Sequence, residues 1–169
     1  MSESSAPRIW AIDPGDTHCG MASFAADHWT QGAYACVWTN EHTPLDCLQL
    51  VNEAIRDGVE YLVIEEFRLY PWVSDQQAWS QLKTSQLIGA LKTTYLQNRQ
   101  DGQYLVMQPA SIKKPTTAQL RKRKIPSKAK LAKVGRHCQD AELHGWYWIF
   151  NGILPGVAGL HEPEDVWNA

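Results

Sequence analysis

Between Glu60 and Glu66 the sequence EYLVIEE runs almost unbroken through apolar residues and is closed at both ends by acid. That pattern belongs to a strand buried on both faces, not to one with a wet side. A strand needing cover above and below constrains the chain to a layered sheet with helices on its faces. The remaining segments fit around it. Arg8–Asp13 (RIWAID) is β-like and stops at the Pro14-Gly15 turn, and Gly20–Ala25 and Gly32–Trp38 continue as a meander across a polar stretch at Asp27–Thr30. Thr43-Pro44 opens a helix with apolar residues at Leu45, Leu48, Val51 and Ile55, ended by Gly58. Ser74–Gln97 repeats apolar residues at Leu82, Leu87, Leu91 and Leu96 and predicts a long helix, and Tyr104–Met107 predicts another buried strand. Ala141–Phe150 predicts a last helix with Asp140 at its opening, and the tail over 152–169 is Gly/Pro-rich and then acidic.

The order is βββαβαβ, then a basic loop and a helix. It predicts an α/β fold with a five-stranded mixed β-sheet flanked by helices. The 169 residues suit a single domain, 1–169, with its core over about 8–150. The apolar runs fall far short of the roughly 20 residues that cross a bilayer, so no membrane span is expected. Met1–Pro7 has neither the basic start nor the apolar core of a secretory signal, which predicts a cytoplasmic protein. Cys19, Cys36, Cys47 and Cys138 form no CxxC and are expected to be reduced, mostly buried thiols and not zinc ligands.

The formal charge of −2 conceals an uneven distribution. Gly102–Gln139 holds no Asp or Glu but ten of the sixteen basic residues; the other 131 residues carry 6 basic and 18 acidic side chains, a balance of −12. Pro115 and Pro126 interrupt this stretch, so residues 113–136 are expected to form a basic loop. Alone, such a tract is as well explained as a solvated surface.

Three acidic residues stand at the ends of expected elements: Asp13 closing the first strand, Glu65 near the end of the fourth, and Asp140 opening the last helix. If the first and fourth strands are neighbours, Asp13 and Glu65 emerge on one sheet edge, where the last helix can bring the third. Like charges gathered out of water call for a cation, and oxygen ligands with open positions suit Mg²⁺ or Mn²⁺. Two such ions about 3.5–4 Å apart can activate a water and stabilise a leaving oxygen in phosphodiester cleavage. Each acid also has a plainer role available, as a turn residue, a solvated strand end or a helix cap. Their joint arrangement carries the argument.

Those segments resemble the RuvC-type Holliday junction resolvases. Ile9–Ala22 (IWAIDPGDTHCGMA) is similar to the family's first-strand motif and Tyr61–Phe67 (YLVIEEF) to its second acidic strand. Ser85–Leu91 (SQLIGAL) is similar to the helix segment that follows, and His137-Cys138-Gln139-Asp140-Ala141 to the closing motif. The resemblance covers about residues 8–150. It implies an RNase H-like fold and a nuclease using Mg²⁺ or Mn²⁺, with two ions held by Asp13, Glu65 and Asp140. His137 would be the fourth member, as a metal ligand or as a group that handles a proton at the attacking or leaving oxygen. His144 continues the same helix face and would stand behind these residues or pack on the sheet. A homodimer acting on branched DNA is implied as well, its two sites cutting paired strands. Only 29 residues separate Met107 from His137, and that trimming, with the HxxDAxxH pattern, looks like the compact bacteriophage members.

In this setting the basic stretch gains a use. Lys113, Lys114, Arg121, Lys122, Arg123, Lys124, Lys128 and Lys130 are expected to contact DNA phosphates, positioning the substrate without reading bases. Of the eight tryptophans, Trp10, Trp38, Trp146 and Trp148 fall in expected elements and read as core, whereas Tyr70, Trp72 and Trp79 could stack on unpaired bases. The alternatives are a nuclease of the same fold acting on RNA–DNA hybrids, flaps or strand ends, and a non-catalytic DNA-binding protein. An actin-like kinase needs two such lobes, which 169 residues do not provide.

Overall fold

The computed structural model describes residues 8–27, 33–67 and 74–153, with the side chains of 26, 27, 33 and 74–82 outside that description. Five strands, β1 (Ile9–Asp13), β2 (Cys19–Asp27), β3 (Ala33–His42), β4 (Tyr61–Glu66) and β5 (Tyr104–Pro109), form one sheet in the order β3-β2-β1-β4-β5. β1, β2 and β3 pair antiparallel, and β4 runs parallel to both β1 and β5. The mixed sheet expected from the chain order is therefore present, with the first and fourth strands as neighbours.

The two-residue period of a strand sorts the core into two layers. Ile9 and Ala11 of β1, with Tyr61 and Val63 of β4, pack on Leu120, Ala141, Trp146, Ile149 and Phe150. The alternate residues Ile12, Leu62 and Ile64 pack on the other face against Cys47, Val51, Ile55, Leu87, Leu91 and Tyr95. The first cover is α3 (Lys113–Arg123) with α5 (Arg136–Trp148); the second is α1 (Pro44–Arg56) with α2 (Ser74–Asn98). Each fully buried Ile or Leu contributes roughly 1.5–3 kcal/mol, so a polar residue in place of Leu62 or Ile64 would be costly. Continuing the alternation past Ala11 and Val63 places Asp13 and Glu65 on the α5 side of the sheet.

Local signals account for the element ends. Thr43 caps α1 by accepting from Asp46 N at 3.2 Å, with Pro44 opening the helix. Gly58, at φ +80°, takes the left-handed turn that leads into β4.

Two expectations are corrected. Residues 113–136 are not a loop: α3 spans Lys113–Arg123 and a short α4 spans Lys128–Leu131. Pro115 lies in the first turn of α3, where its missing N–H would have had no helical partner, so it does not break the helix. Pro126 does fall in a break, after Lys124 ends α3 at φ 56°. The last helix begins at Arg136, which puts Asp140 one turn inside it instead of at its opening. Among the described residues no helix is long and apolar enough to cross a membrane. Tyr70 and Trp72, and the Trp79 side chain, lie outside the described residues.

Candidate active site

Asp13 and Glu65 owe their proximity to register. β1 and β4 run parallel with Ile12 beside Ile64, so the next residues carry two carboxylates off neighbouring strand ends. α5 lies over that edge and presents His137, Asp140 and His144, whose i, i+3, i+7 spacing sets them on one face. Its first turn sits directly on the sheet because Gly20, in β2 beside Asp13, has no side chain: a Cβ there would collide with the His137 carbonyl. All four acid and histidine residues expected in the site, Asp13, Glu65, His137 and Asp140, are thus brought together.

The contacts are short. His137 Nδ1 lies 2.6 Å from Asp13 Oδ2. Lys113, the first residue of α3, extends its ammonium into the acidic cluster, 2.7 Å from Glu65 Oε2, 2.8 Å from Asp140 Oδ2 and 3.9 Å from Asp13 Oδ1. It thereby stands apart from the other basic residues with which it was grouped as a phosphate contact. His144 is fully buried, with Nε2 3.0 Å from Glu65 Oε2 and Nδ1 2.9 Å from Gln108 Oε1. Gln108 is the β5 residue paired with Glu65, and its Nε2 has no partner as placed. Turning that amide over lets Nε2 donate to His144 Nδ1, leaving the opposite ring N–H to donate to Glu65. The exchange replaces an orphaned donor with an orphaned carbonyl, the less costly of the two. His144 therefore orients Glu65.

Burial pushes the Asp13 carboxyl from its usual 3.8 up to about 7, and nearby Glu65 adds to this, while His137 and Lys113 oppose it. Glu65 goes the other way: burial would raise it, but the hydrogen bonds of His144, Asp13 and Lys113 together hold it below the usual carboxylate range. The pair accordingly retains one proton, on Asp13, well above the pH at which free carboxyls ionise. The bond to Asp13 raises His137 against its own burial. Lys113 is also raised, since the charge of Asp13 and the bonds to Asp140 and Glu65 outweigh its desolvation.

These shifts give a signed pH dependence. Asp13 and His137 bind protons more tightly in the fold, so each stabilises below its unfolded pKa and loses that stabilisation as pH rises through the folded one. For Asp13 that window runs from about 4 to about 7. Glu65 has the opposite sign, but its contribution is already complete above the ordinary carboxylate range. Metal-free protein in a chelator is therefore expected to lose stability from about pH 5 to about 7, with a slope approaching one proton, about 1.4 kcal/mol per pH unit. Asp13→Asn should flatten most of it. Urea unfolding across that range measures the slope; stability that rises with pH in the wild type would contradict the protonated Asp13.

The basic surface is joined to the same helix. Lys114, Arg121, Lys122, Arg123, Lys124 and Lys130 are exposed and Lys128 is half-buried. Glu142, on α5 and 1% exposed, accepts from Ser127 Oγ at 2.7 Å, Lys128 N at 2.9 Å and Ala129 N at 3.0 Å. It fastens α4 to the helix that carries His137 and Asp140. Arg123 lies over the Phe150 ring, 4.4 Å from its centroid.

No protein-family model and no curated protein matches this sequence. Solved structures do. The chain is similar to Thermus thermophilus RuvC in complex with Holliday junction substrate, with a TM-score of 0.58 and 16% identity over 86% of this chain and 96% of that one. It is similar also to the fowlpox virus Holliday junction resolvase, with a TM-score of 0.55 and 12% identity over 85% of this chain and 97% of that one. The fold is RuvC-type and RNase H-like. At these identities the likeness is one of fold.

The resemblance read from the sequence carries the expectation of a divalent metal. The donor chemistry here fits one, since three carboxylates from β1, β4 and α5 converge as hard oxygen ligands. Even so, no group of three His, Cys, Asp or Glu among the described residues is arranged to hold an ion. The Lys113 ammonium holds the point where the carboxylates meet. Sequence reasoning missed this placement, together with Gln108 and Glu142. The pairing of β5 with β4 is the signal that finds Lys113 and Gln108; Glu142 had none, because its partners come from a segment read as loop.

Proposed function

We propose that the protein is a divalent-metal-dependent, structure-selective DNA endonuclease that cleaves phosphodiester bonds in Holliday junctions or other branched DNA. The observation that carries this reading is the convergence of Asp13, Glu65 and Asp140 at one sheet edge of a RuvC-type fold, with His137 beside them. Asp13, Glu65 and Asp140 would hold Mg²⁺ or Mn²⁺, which when bound polarises the scissile phosphate and lowers the pKa of a water. His137 is the group for a proton at the attacking or leaving oxygen: its side chain is 43% exposed and Asp13 fixes its ring through Nδ1. His144 keeps Glu65 aimed at the same point. A homodimer with two such sites suits a two-fold junction, and the short connection from β5 to α5 supports a compact enzyme of bacteriophage type.

Cleavage of labelled four-way junction, flap, linear duplex and RNA–DNA hybrid, with Mn²⁺ and with chelator, tests the reading. Metal-dependent incision of the junction above the others is expected. Preferential cutting of the hybrid would assign the other specificity, and inertness on all four would leave a DNA-binding protein.

The basic surface supports phosphate binding, which weakens with salt by roughly 0.9 in log K per log salt for each phosphate neutralised. Converting Arg121, Lys122 and Lys130 to Gln is expected to weaken junction binding and to flatten the salt slope by about 2–3. Fluorescence anisotropy between 50 and 200 mM salt, roughly, reads both. A slope equal to that of wild type would remove these residues from the interface.

A further inference from the structure

The carboxylate cluster already contains a cation. Lys113 Nζ is within 2.7 and 2.8 Å of Glu65 and Asp140 and 3.9 Å from Asp13, with its side chain 24% exposed. It reaches there because β5 runs parallel to β4 and the turn Ala110–Ile112 starts α3 over the same edge. The other groups facing the cluster are differently engaged. His137 binds Asp13, His144 binds Glu65 from beneath, and Arg136, 91% exposed, only grazes Asp140 at 3.9 Å. An ammonium bonded to one oxygen each of Glu65 and Asp140 stands where a divalent ion would gather its oxygens at about 2.0–2.1 Å. Two cations at that one point repel each other strongly, the more so out of water.

Resting on the metal-site reading above, the geometry points to Lys113 as a resident counter-ion. Its ammonium holds Asp13, Glu65 and Asp140 together in the metal-free protein and is displaced by the incoming divalent ion. The site is thus kept assembled before loading, at the expense of ion affinity. Once displaced, the same ammonium is a free cation beside the basic surface formed by α3.

Mn²⁺ titrations of the full chain without DNA, at fixed pH and salt, test this on wild type, Lys113→Met and Asp13→Asn. Lys113→Met is expected to bind Mn²⁺ at least about tenfold more tightly than wild type, and Asp13→Asn to lose binding. Equal or weaker binding by Lys113→Met overturns the displacement. A second measurement needs no variant at that position: reductive methylation of wild type, mapped by mass spectrometry against exposed Lys130. Mn²⁺ should raise labelling of Lys113 severalfold relative to Lys130, and unchanged labelling at saturating ion overturns the proposal. Binding of Mn²⁺ by neither wild type nor folded Lys113→Met overturns the metal reading itself. Tight binding by both, with Lys113 still protected, overturns only the displacement.

Discussion

Asp13→Asn, Glu65→Gln and Asp140→Asn are each expected to slow junction cleavage by at least about a thousandfold in Mg²⁺ or Mn²⁺, while junction affinity stays equal or rises. The amides keep the shape of the acids but remove one of three anionic oxygen donors. The DNA-facing consequence has the opposite sign. Glu65→Gln and Asp140→Asn each delete a negative charge beside Lys113, and Asp13→Asn removes the carboxyl that would ionise above about pH 7, so a polyanion meets a more positive surface. Measuring single-turnover cleavage beside binding in Ca²⁺ or chelator separates the two effects. Asp13→Asn should also be no less stable than wild type above pH 7, because it removes the buried carboxyl that resists ionisation. Full cleavage by any of the three would sink the assignment of that residue.

Glu142→Ala is expected to cost roughly 3–5 kcal/mol, more than loss of any surface charge, because it strips the partner from one buried and two half-buried donors. Ser127 Oγ and the N–H groups of Lys128 and Ala129 all point at this carboxylate. Its removal leaves them unsatisfied and opens space beneath α4. Glu142→Gln is a sharper test of the same idea. Since both oxygens accept, an amide must aim its own N–H at another donor, so it too should destabilise although it fills the same volume. Urea unfolding gives the loss, and hydrogen exchange locates it at Lys128–Leu131. Unfolding within about 1 kcal/mol of wild type for both variants would mean that α4 is held by something else. Junction affinity should fall with Glu142→Ala, since the segment carrying Lys128 and Lys130 is no longer fixed to α5.

Much of the fold was legible because strand and helix periods act over a few residues. EYLVIEE read as a doubly buried strand and is one, and the alternation along RIWAID sorts its residues between the two core layers. Thr43-Pro44 opened its helix as expected. Asp13 and Glu65 were legible through placement at strand ends, whereas Asp140 and His137 came from the resemblance, with helical spacing setting them and His144 on one face. The basic segment was misread because Pro115 was taken as a breaker. Whether a proline breaks a helix depends on where the helix starts, and here the chain coming off β5 starts α3 two residues earlier.

The sequence by itself determined the five strands, the helices outside the basic segment and the two faces of the sheet. All of these follow from local periodicity and from burial summed along short segments. Only the tertiary structure decided which of ten similar cations enters the acid cluster, which glutamate fastens the basic surface, and which of two adjacent carboxyls keeps a proton. Those outcomes depend on charges and donors that the fold brings together from separate elements, as it does Glu65 and Lys113, or Asp13 and His137. Out of water such encounters are strong enough to set the state of each group. Nothing in the immediate neighbourhood of any one of them in the chain foretells its partner.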